Sequence, residues 1–397
     1  MTIRIPRGFR FSGVPCGIKA DPTREDLTLI VADQPAVAAG VYTTNLVCAA
    51  PVTLDRQRTP SDRIRAVAVN SGNANACTGQ RGLQDAHTMA QLAATACGAG
   101  PDQALVMSTG IIGVFLPLDK IGAGIRAAAE RLGSDEASFL AAARGITTTD
   151  KSHKVAGRTL ELGGRTIRIA GMCKGAGMIG PRMATMLGVI LTDAALAVPD
   201  AHAALVAAVD DSFHCISVEG HMSTNDTVLL LASGAADPTP LAGEELATFR
   251  ATLRDVCIEL AKQIPDDGEG ATHLVTIDVQ GAATREDAFR VAKTVAESSL
   301  VKTAIAGGDP NWGRIVSAAG YAGVTFDPSR VALDVNGTSL YRDGTPVPFD
   351  APAVSRSMRA NRETHVLLTL GAGDAGVRFW TSDLTVDYVK FNADYRT

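Results

Sequence analysis

Lys174-Gly-Ala-Gly-Met-Ile-Gly180-Pro-Arg-Met-Ala-Thr185-Met-Leu-Gly-Val-Ile-Leu-Thr192 is the stretch on which the reading of this chain turns. Gly175 to Gly180 satisfies G-x-G-x-x-G, the fingerprint of dinucleotide-binding folds. That fingerprint needs a helix opening inside it, so that the helix N-terminus meets a pyrophosphate. The chain continues instead through Leu187-Gly-Val-Ile-Leu-Thr192, a glycine and a β-branched apolar run, which predicts a buried strand. A glycine-rich loop entering a strand is therefore favoured over a nicotinamide or flavin site. On pattern alone Thr185 is a β-branched residue at the start of that strand.

On either side of this stretch, strands and helices alternate. Arg158 to Ala170 predicts a hairpin turning at Gly163-Gly164. Leu27 to Ala32 and Ile64 to Asn70 read as buried strands, and Leu105 to Met107 as a short strand ending in Ser108-Thr109-Gly110. Helices are expected over Leu83 to Cys97, Leu118 to Leu132, Pro199 to Phe213 and Glu244 to Ile264. The last carries Leu246, Phe249, Leu253, Val256, Leu260 and Ile264 on one face. Thr227 to Leu231 and His273 to Gln280 are further strands, and Thr284 with Asp287 signals a helix N-terminus. Polar joints near 232–243 and 325–330 do not read as domain linkers.

The 397 residues are 46% apolar and 20% charged with net charge −5, the composition of a soluble globular protein. The acidic balance argues against nucleic acid as a partner, since phosphate binding needs clustered Lys and Arg. No apolar run is long enough for a membrane span, and the opening MTIRIPRGFRFSG lacks the apolar core of a secretory signal, so a cytoplasmic enzyme is expected. The seven cysteines show no C-x-x-C pair and read as reduced, buried thiols. The seven histidines form no H-E-x-x-H or other ligand spacing, so no metal site is expected.

Chemistry can sit at Thr185. A threonine hydroxyl needs a base to take its proton, and an N-terminal threonine carries one in its own α-amine, whose ordinary pKa is about 7.7–8.0. That amine exists only once the Ala184–Thr185 bond is broken. The segment resembles the self-cleavage segment of ornithine acetyltransferases, the glutamate N-acetyltransferases of arginine biosynthesis. The resemblance runs through Gly8-Phe-Arg10 with Gly17-Ile-Lys19, Ala39-Gly-Val-Tyr-Thr-Thr-Asn45, Asn70-Ser-Gly-Asn-Ala-Asn-Ala-Cys77 and Ser108-Thr-Gly-Ile-Ile-Gly113. It continues at Ser223-Thr-Asn-Asp-Thr227, Asp267-Gly-Glu-Gly-Ala-Thr272, Lys302-Thr-Ala-Ile305, Asp309-Pro-Asn-Trp-Gly-Arg314 and Asn392-Ala-Asp-Tyr-Arg-Thr397.

The resemblance implies an α/β layered sandwich shared with N-terminal-nucleophile aminopeptidases, made as a precursor that cuts itself between Ala184 and Thr185. An α chain of residues 1–184 and a β chain of residues 185–397 then assemble as α2β2. Thr185 is the implied nucleophile, and Thr109 and Gly110 the oxyanion hole. Thr148, Lys174, Thr185, Glu269, Asn392 and Thr397 are the implied contacts to the amino-acid substrate. The implied reaction moves acetyl from N-acetylornithine to glutamate with no metal or organic cofactor, acetyl-CoA being a candidate second donor. Without the resemblance, Lys174 and Glu269 read as solvated charges, and Asn392 and Thr397 as a frayed terminus. The chain departs from the family pattern at Arg182, at Glu219-Gly-His-Met222 and after Thr149-Asp150. The changes at Arg182 and His221 leave open the same chemistry on another amine in specialised metabolism, and a further alternative is an N-terminal-threonine amidase or aminopeptidase in which water deacylates Thr185.

Overall fold

A computed structural model describes residues 3–180 and 186–394. The chain begins with strands β1 (Phe9–Val14) and β2 (Leu27–Tyr42), helix α1 (Ala50–Arg58), β3 (Ser61–Asn73), helix α2 (Gly79–Ala96) and β4 (Ala104–Ile111). Helices α3 (Leu118–Glu130) and α4 (Glu136–Gly145) lead into β5 (Lys154–Leu162), β6 (Arg165–Lys174) and β7 (Leu187–Thr192). Then come α5 (Val198–Asp210), the short β8 (Ile216–Ser217), β9 (Thr227–Ala232), α6 (Gly243–Asp266) and β10 (Leu274–Ala282). Helices α7 (Arg285–Glu297), α8 (Ser299–Ala306) and α9 (Trp312–Gly320) precede β11 (Ala332–Val335), β12 (Thr338–Arg342) and β13 (Thr345–Pro346). The last elements are α10 (Ala351–Ala360), β14 (Glu363–Thr369), β15 (Ala375–Ser382) and α11 (Val386–Asp394).

Among the described residues the strands form two mixed sheets. One has the order β4-β3-β2-β9-β7-β6-β5 with β1 beside the first half of β2, and the other the order β13-β12-β11-β14-β10-β15-β8. One large core joins them through α5 and α6. Ile169, Ile190 and Leu230 of the first sheet, Leu205 of α5, Phe249 and Leu260 of α6, and Val275, Ile277 and Phe379 of the second sheet belong to it. The first sheet's other face packs Phe9, Phe11, Phe139, Met107 and Val189, with Phe11 and Phe139 edge to face at 5.2 Å. Burying each such side chain stabilises by about 1.5–3 kcal/mol. Alanine-rich α2 lies against Ala66, Ala68, Ala104 and Val106, where small residues let backbones approach.

The expected hairpin is present: Leu162 pairs with Arg165, and Gly163 and Gly164 take φ of +54° and +77°, both positive as a two-residue turn of this hand requires. All six residues of β7 are buried between β6 and β9, which explains its unbroken apolar run and removes the helix a dinucleotide site would need. The helix expected over Glu244 to Ile264 is α6, with all six predicted face residues buried, and Thr284 caps α7 by accepting from the Asp287 N–H. Two expectations need correcting. The strand expected to stop at Ala32 runs on to Tyr42, because exposed Asp33-Gln34-Pro35 forms a bulge across which pairing moves from Val31–Ala66 to Ala36–Ile64. Of the seven free thiols only Cys173, Cys215 and Cys257 are buried, while Cys77 is exposed.

Candidate active site

Strands β4 and β6 stand five places apart in the sheet order, about 24 Å in a flat sheet at about 4.8 Å per step. Yet the Lys174 Nζ at the end of β6 lies 3.4 Å from the Thr109 Oγ1 of β4. The sheet therefore curls back on itself and gathers the ends of β4 and β6 and the starts of β7 and β9 at one point. Asn225, before β9, ties this point together by donating from Nδ2 to the carbonyls of Ala74 (2.6 Å) and Ser108 (2.8 Å). Gly110 has φ +133°, and a Cβ there would sit 2.3 Å from the Gly72 carbonyl carbon, so the β3–β4 approach admits only glycine.

Lys174 is 2% exposed, not the solvated charge its residue type suggested. Burial pulls its pKa down, and the carboxylates of Asp150, Asp226 and Glu269 oppose that pull. Asp150 is the strut beneath it. Its carboxylate accepts from the Gly175 N–H (2.7 Å), the Thr148 N–H (3.0 Å) and Lys154 Nζ (2.7 Å), and despite burial Lys174 and Lys154 hold it well below the usual carboxylate range. Lys154 also bonds Asp267 at 2.6 Å. Sequence reasoning gave Asp150, Lys154 and Asp267 no role; two oppositely charged residues four apart, the second opening β5, were the available signal.

Glu269 follows α6. Its Oε1 accepts from Thr149 Oγ1 (2.7 Å), its Oε2 from Asn392 Nδ2 (3.1 Å), and its N–H donates to the Ala176 carbonyl (2.9 Å). A Cβ on Gly177 would lie 2.4 Å from that carboxyl, so the glycine loop presses directly on it. Asn392 sits on α11 and is not a frayed end. A pocket of about 170 Å³ is lined by Thr109, Gly110, Thr148, Lys174, Glu269 and Asn392, every predicted site residue that the structure describes. That volume, below the roughly 300–1,000 Å³ of drug-sized sites, suits a small polar ligand. Ala184, Thr185 and Thr397, and the departure at Arg182, lie outside the described residues. Met186, next to Thr185 in the chain, is 1% exposed and donates its N–H to Asp226 Oδ1 at 2.7 Å. Asp226 is fully buried with its pKa raised by desolvation. An acidic residue directly before the apolar run Thr227-Val-Leu-Leu-Leu231 was the sequence signal for it.

A hydroxyl beside a glycine at a strand end, a buried lysine and a hydrogen-bonded carboxylate around a small pocket can hold a small charged ligand and stabilise a developing oxyanion, the chemistry that acyl transfer needs. The model of the ArgJ family matches residues 10–397, and the chain belongs to that family. An arginine biosynthesis bifunctional protein ArgJ of Rhodopirellula baltica is 50% identical over 396 residues, covering 99% of this chain and 96% of the relative. One from Symbiobacterium thermophilum is 48% identical over 398 residues, covering 100% and 98%. The crystal structure of arginine biosynthesis bifunctional protein ArgJ from Bacillus halodurans is similar with a TM-score of 0.50 and 37% identity. It covers 51% of this chain and 96% of that one.

Proposed function

We propose that this chain is a glutamate N-acetyltransferase of arginine biosynthesis, which cuts itself between Ala184 and Thr185 and transfers acetyl from N-acetylornithine to glutamate through acetyl-Thr185. The observation that carries this is the single pocket joining Thr109, Gly110, Lys174 and Glu269, with Met186 fixed by Asp226 at the start of the next strand. The half-length chain of the Bacillus halodurans structure supports the cut, since breaking at 184/185 leaves fragments of comparable size.

In maturation the Thr185 hydroxyl adds to the Ala184 carbonyl, the C–N bond breaks, and the nitrogen takes a proton to become the α-amine. Water hydrolyses the ester, leaving the Ala184 carboxylate and a free Thr185 hydroxyl. In transfer the neutral amine takes the hydroxyl proton while Oγ attacks the acetyl carbonyl of N-acetylornithine. The Thr109 hydroxyl and Gly110 N–H hold the oxyanion, the amide C–N bond breaks, and the proton goes to departing ornithine. The neutral amine of glutamate then attacks the ester, carries off the acetyl group and returns the proton to Thr185. Lys174 pairs with the carboxylate common to both amino acids, and Glu269 with the ornithine side-chain ammonium. Thr148, Asn392 and Thr397 complete the contacts. No metal or organic cofactor takes part in these steps, and acetyl-CoA enters, where used, as a second acetyl donor. By this reading residues 1–184 and 185–397 form an α2β2 enzyme in the cytoplasm.

The changes at Arg182 and His221 point to the alternative amine, and His221 does not line the pocket. Denaturing mass spectrometry tests the proposal. The purified protein should show two chains meeting at 184/185, and N-acetylornithine should add one acetyl group to the downstream chain. A single uncut chain that carries no acetyl group would refute it.

A further inference from the structure

The loop joining β8 to β9 grips the chain on both sides of the 184/185 joint. On the upstream side, Ile179 donates its N–H to Glu219 Oε1 at 2.5 Å, and its carbonyl accepts from the N–H groups of Val218 (2.9 Å), Glu219 (3.3 Å) and Gly220 (3.0 Å). The Ser217 hydroxyl adds a longer bond to the same carbonyl at 3.3 Å. Gly180 lies so close that a Cβ there would be 2.8 Å from the Gly220 carbonyl. On the downstream side, Met186 donates its N–H to Asp226 Oδ1 at 2.7 Å and accepts from the Thr227 N–H at 3.2 Å. Residues 179 and 186 thus have both peptide groups held by one connection, which Thr43 fixes in turn by donating from its N–H to the Asp226 carbonyl and from its hydroxyl to the Ser223 carbonyl.

We propose that the β8–β9 connection is the cradle that sets self-cleavage, with Glu219 as the upstream positioning residue and Asp226 as the downstream one. The inference rests on the self-cleavage reading above. Attack by a side-chain hydroxyl on the preceding carbonyl needs a restricted geometry, and holding both flanks to one rigid support lowers the entropy lost in reaching it. The two grips differ in what survives the cut. After the cut Ile179 belongs to the upstream chain, so the hold of Glu219 on Ile179 no longer reaches Thr185 through the backbone. Met186 remains bonded to Thr185, so Asp226 continues to hold it during transfer. Glu219 therefore acts on cleavage alone, and Asp226 on cleavage and transfer. Burial raises the Glu219 pKa to about 8, so near neutral pH much of it is protonated and its carbonyl oxygen accepts the Ile179 N–H, a role glutamine can fill.

The test tracks fragment appearance with time by denaturing mass spectrometry in the full chain, and measures kcat and KM per cut molecule. Glu219→Ala should slow cleavage about ten- to a hundredfold and leave transfer by the cut fraction unchanged. Glu219→Gln should cut within about threefold of the parent. Asp226→Ala should slow cleavage and also lower kcat per cut molecule, with Asp226→Asn restoring much of both. Should Glu219→Ala fail to fold, Gly180→Ala disturbs the same grip without changing a charge, and it should slow cleavage while sparing mature turnover. Cleavage at the parental rate in these upstream variants overturns the proposal. So does a fall in mature kcat that matches the fall in cleavage, or a Gln variant as slow as the Ala one. A parent that never cuts would instead refute the self-cleavage reading itself.

Discussion

Replacing Glu269 by glutamine tests how the enzyme tells its two amino acids apart. The carboxylate accepts from Thr149 Oγ1 at 2.7 Å and from Asn392 Nδ2 at 3.1 Å, and its edge faces the pocket. Glutamine has the same shape, so the close packing against Gly177 is kept. One of its two groups is a donor, however. Turned toward Asn392 it meets another NH2, which already bonds the Tyr388 carbonyl at 3.1 Å, so Asn392 cannot flip without setting two oxygens together. The larger loss is the charge. A hydrogen bond to a charged group is worth about 1.5–3 kcal/mol, so kcat/KM for the N-acetylornithine half-reaction should fall about ten- to a hundredfold. Glutamate brings no side-chain ammonium, and its half-reaction should change less than about threefold by the same reasoning. The assay mixes cut enzyme with N-acetylornithine, monitors the acetylated downstream chain by mass spectrometry, and then chases it with glutamate. Equal losses in the two steps would mean that Glu269 does not read the side-chain charge.

Thr185→Ala has no hydroxyl for either reaction and should run as one full-length chain without transferase activity; an active, cut variant would remove Thr185 from the mechanism. Thr109→Ala should lower kcat about a hundredfold or more with a smaller change in KM, as for loss of one oxyanion donor, and unaltered turnover would exclude it. For stability, Glu219 titrates near 8 when folded against an ordinary 4.5, so the folded chain binds the extra proton between those values and loses stability as pH rises through that window. Lys302, itself lowered to about 8 by burial, and Glu269 are the charged neighbours. Glu219→Gln should therefore gain in Tm over the parent by a few degrees between pH 5 and pH 8, and a constant gap would show that Glu219 is not held neutral.

Local signals carried far here. The glycine pair at 163–164, the unbroken apolar run of β7 and the six-residue face of α6 each state their structure in the residues themselves, because turn geometry, strand burial and helix periodicity are local properties. The bulge in β2 was hidden for the opposite reason. Asp33-Gln34-Pro35 carries the composition of a turn, and only the partners on either side turn it into one continuous strand. The pocket was legible as a set of residue names, but its closure depends on a sheet that bends until the ends of β4 and β6 meet, and no spacing along the chain reports that curvature. Lys174 shows the limit most clearly: a lysine beside glycines reads as surface charge, yet it is buried, and the groups that oppose the downward pull of burial on its pKa, Asp150, Asp226 and Glu269, come from three other parts of the chain. Glu219 was visible only as a departure from pattern, since the backbone N–H it accepts from, that of Ile179, is distant in sequence.

The position of β7 has a consequence for how such an enzyme ages. β7 and β9 lie between β2 on one side and β6 with β5 on the other, joined to each flank by six residue pairs. While the chain is whole, these strands are delivered to each other by their own tether. With the proposed cut between Ala184 and Thr185 made, the middle of the sheet would belong to one polypeptide and its flanks to another, held together by the ladders and the core. Folding would then be a step taken once, by the precursor, and an unfolded cut enzyme would have to find its other half by diffusion. Its survival would be set by the rate at which the ladders open, and recovery after denaturation would fall with dilution, as for any assembly of separate chains.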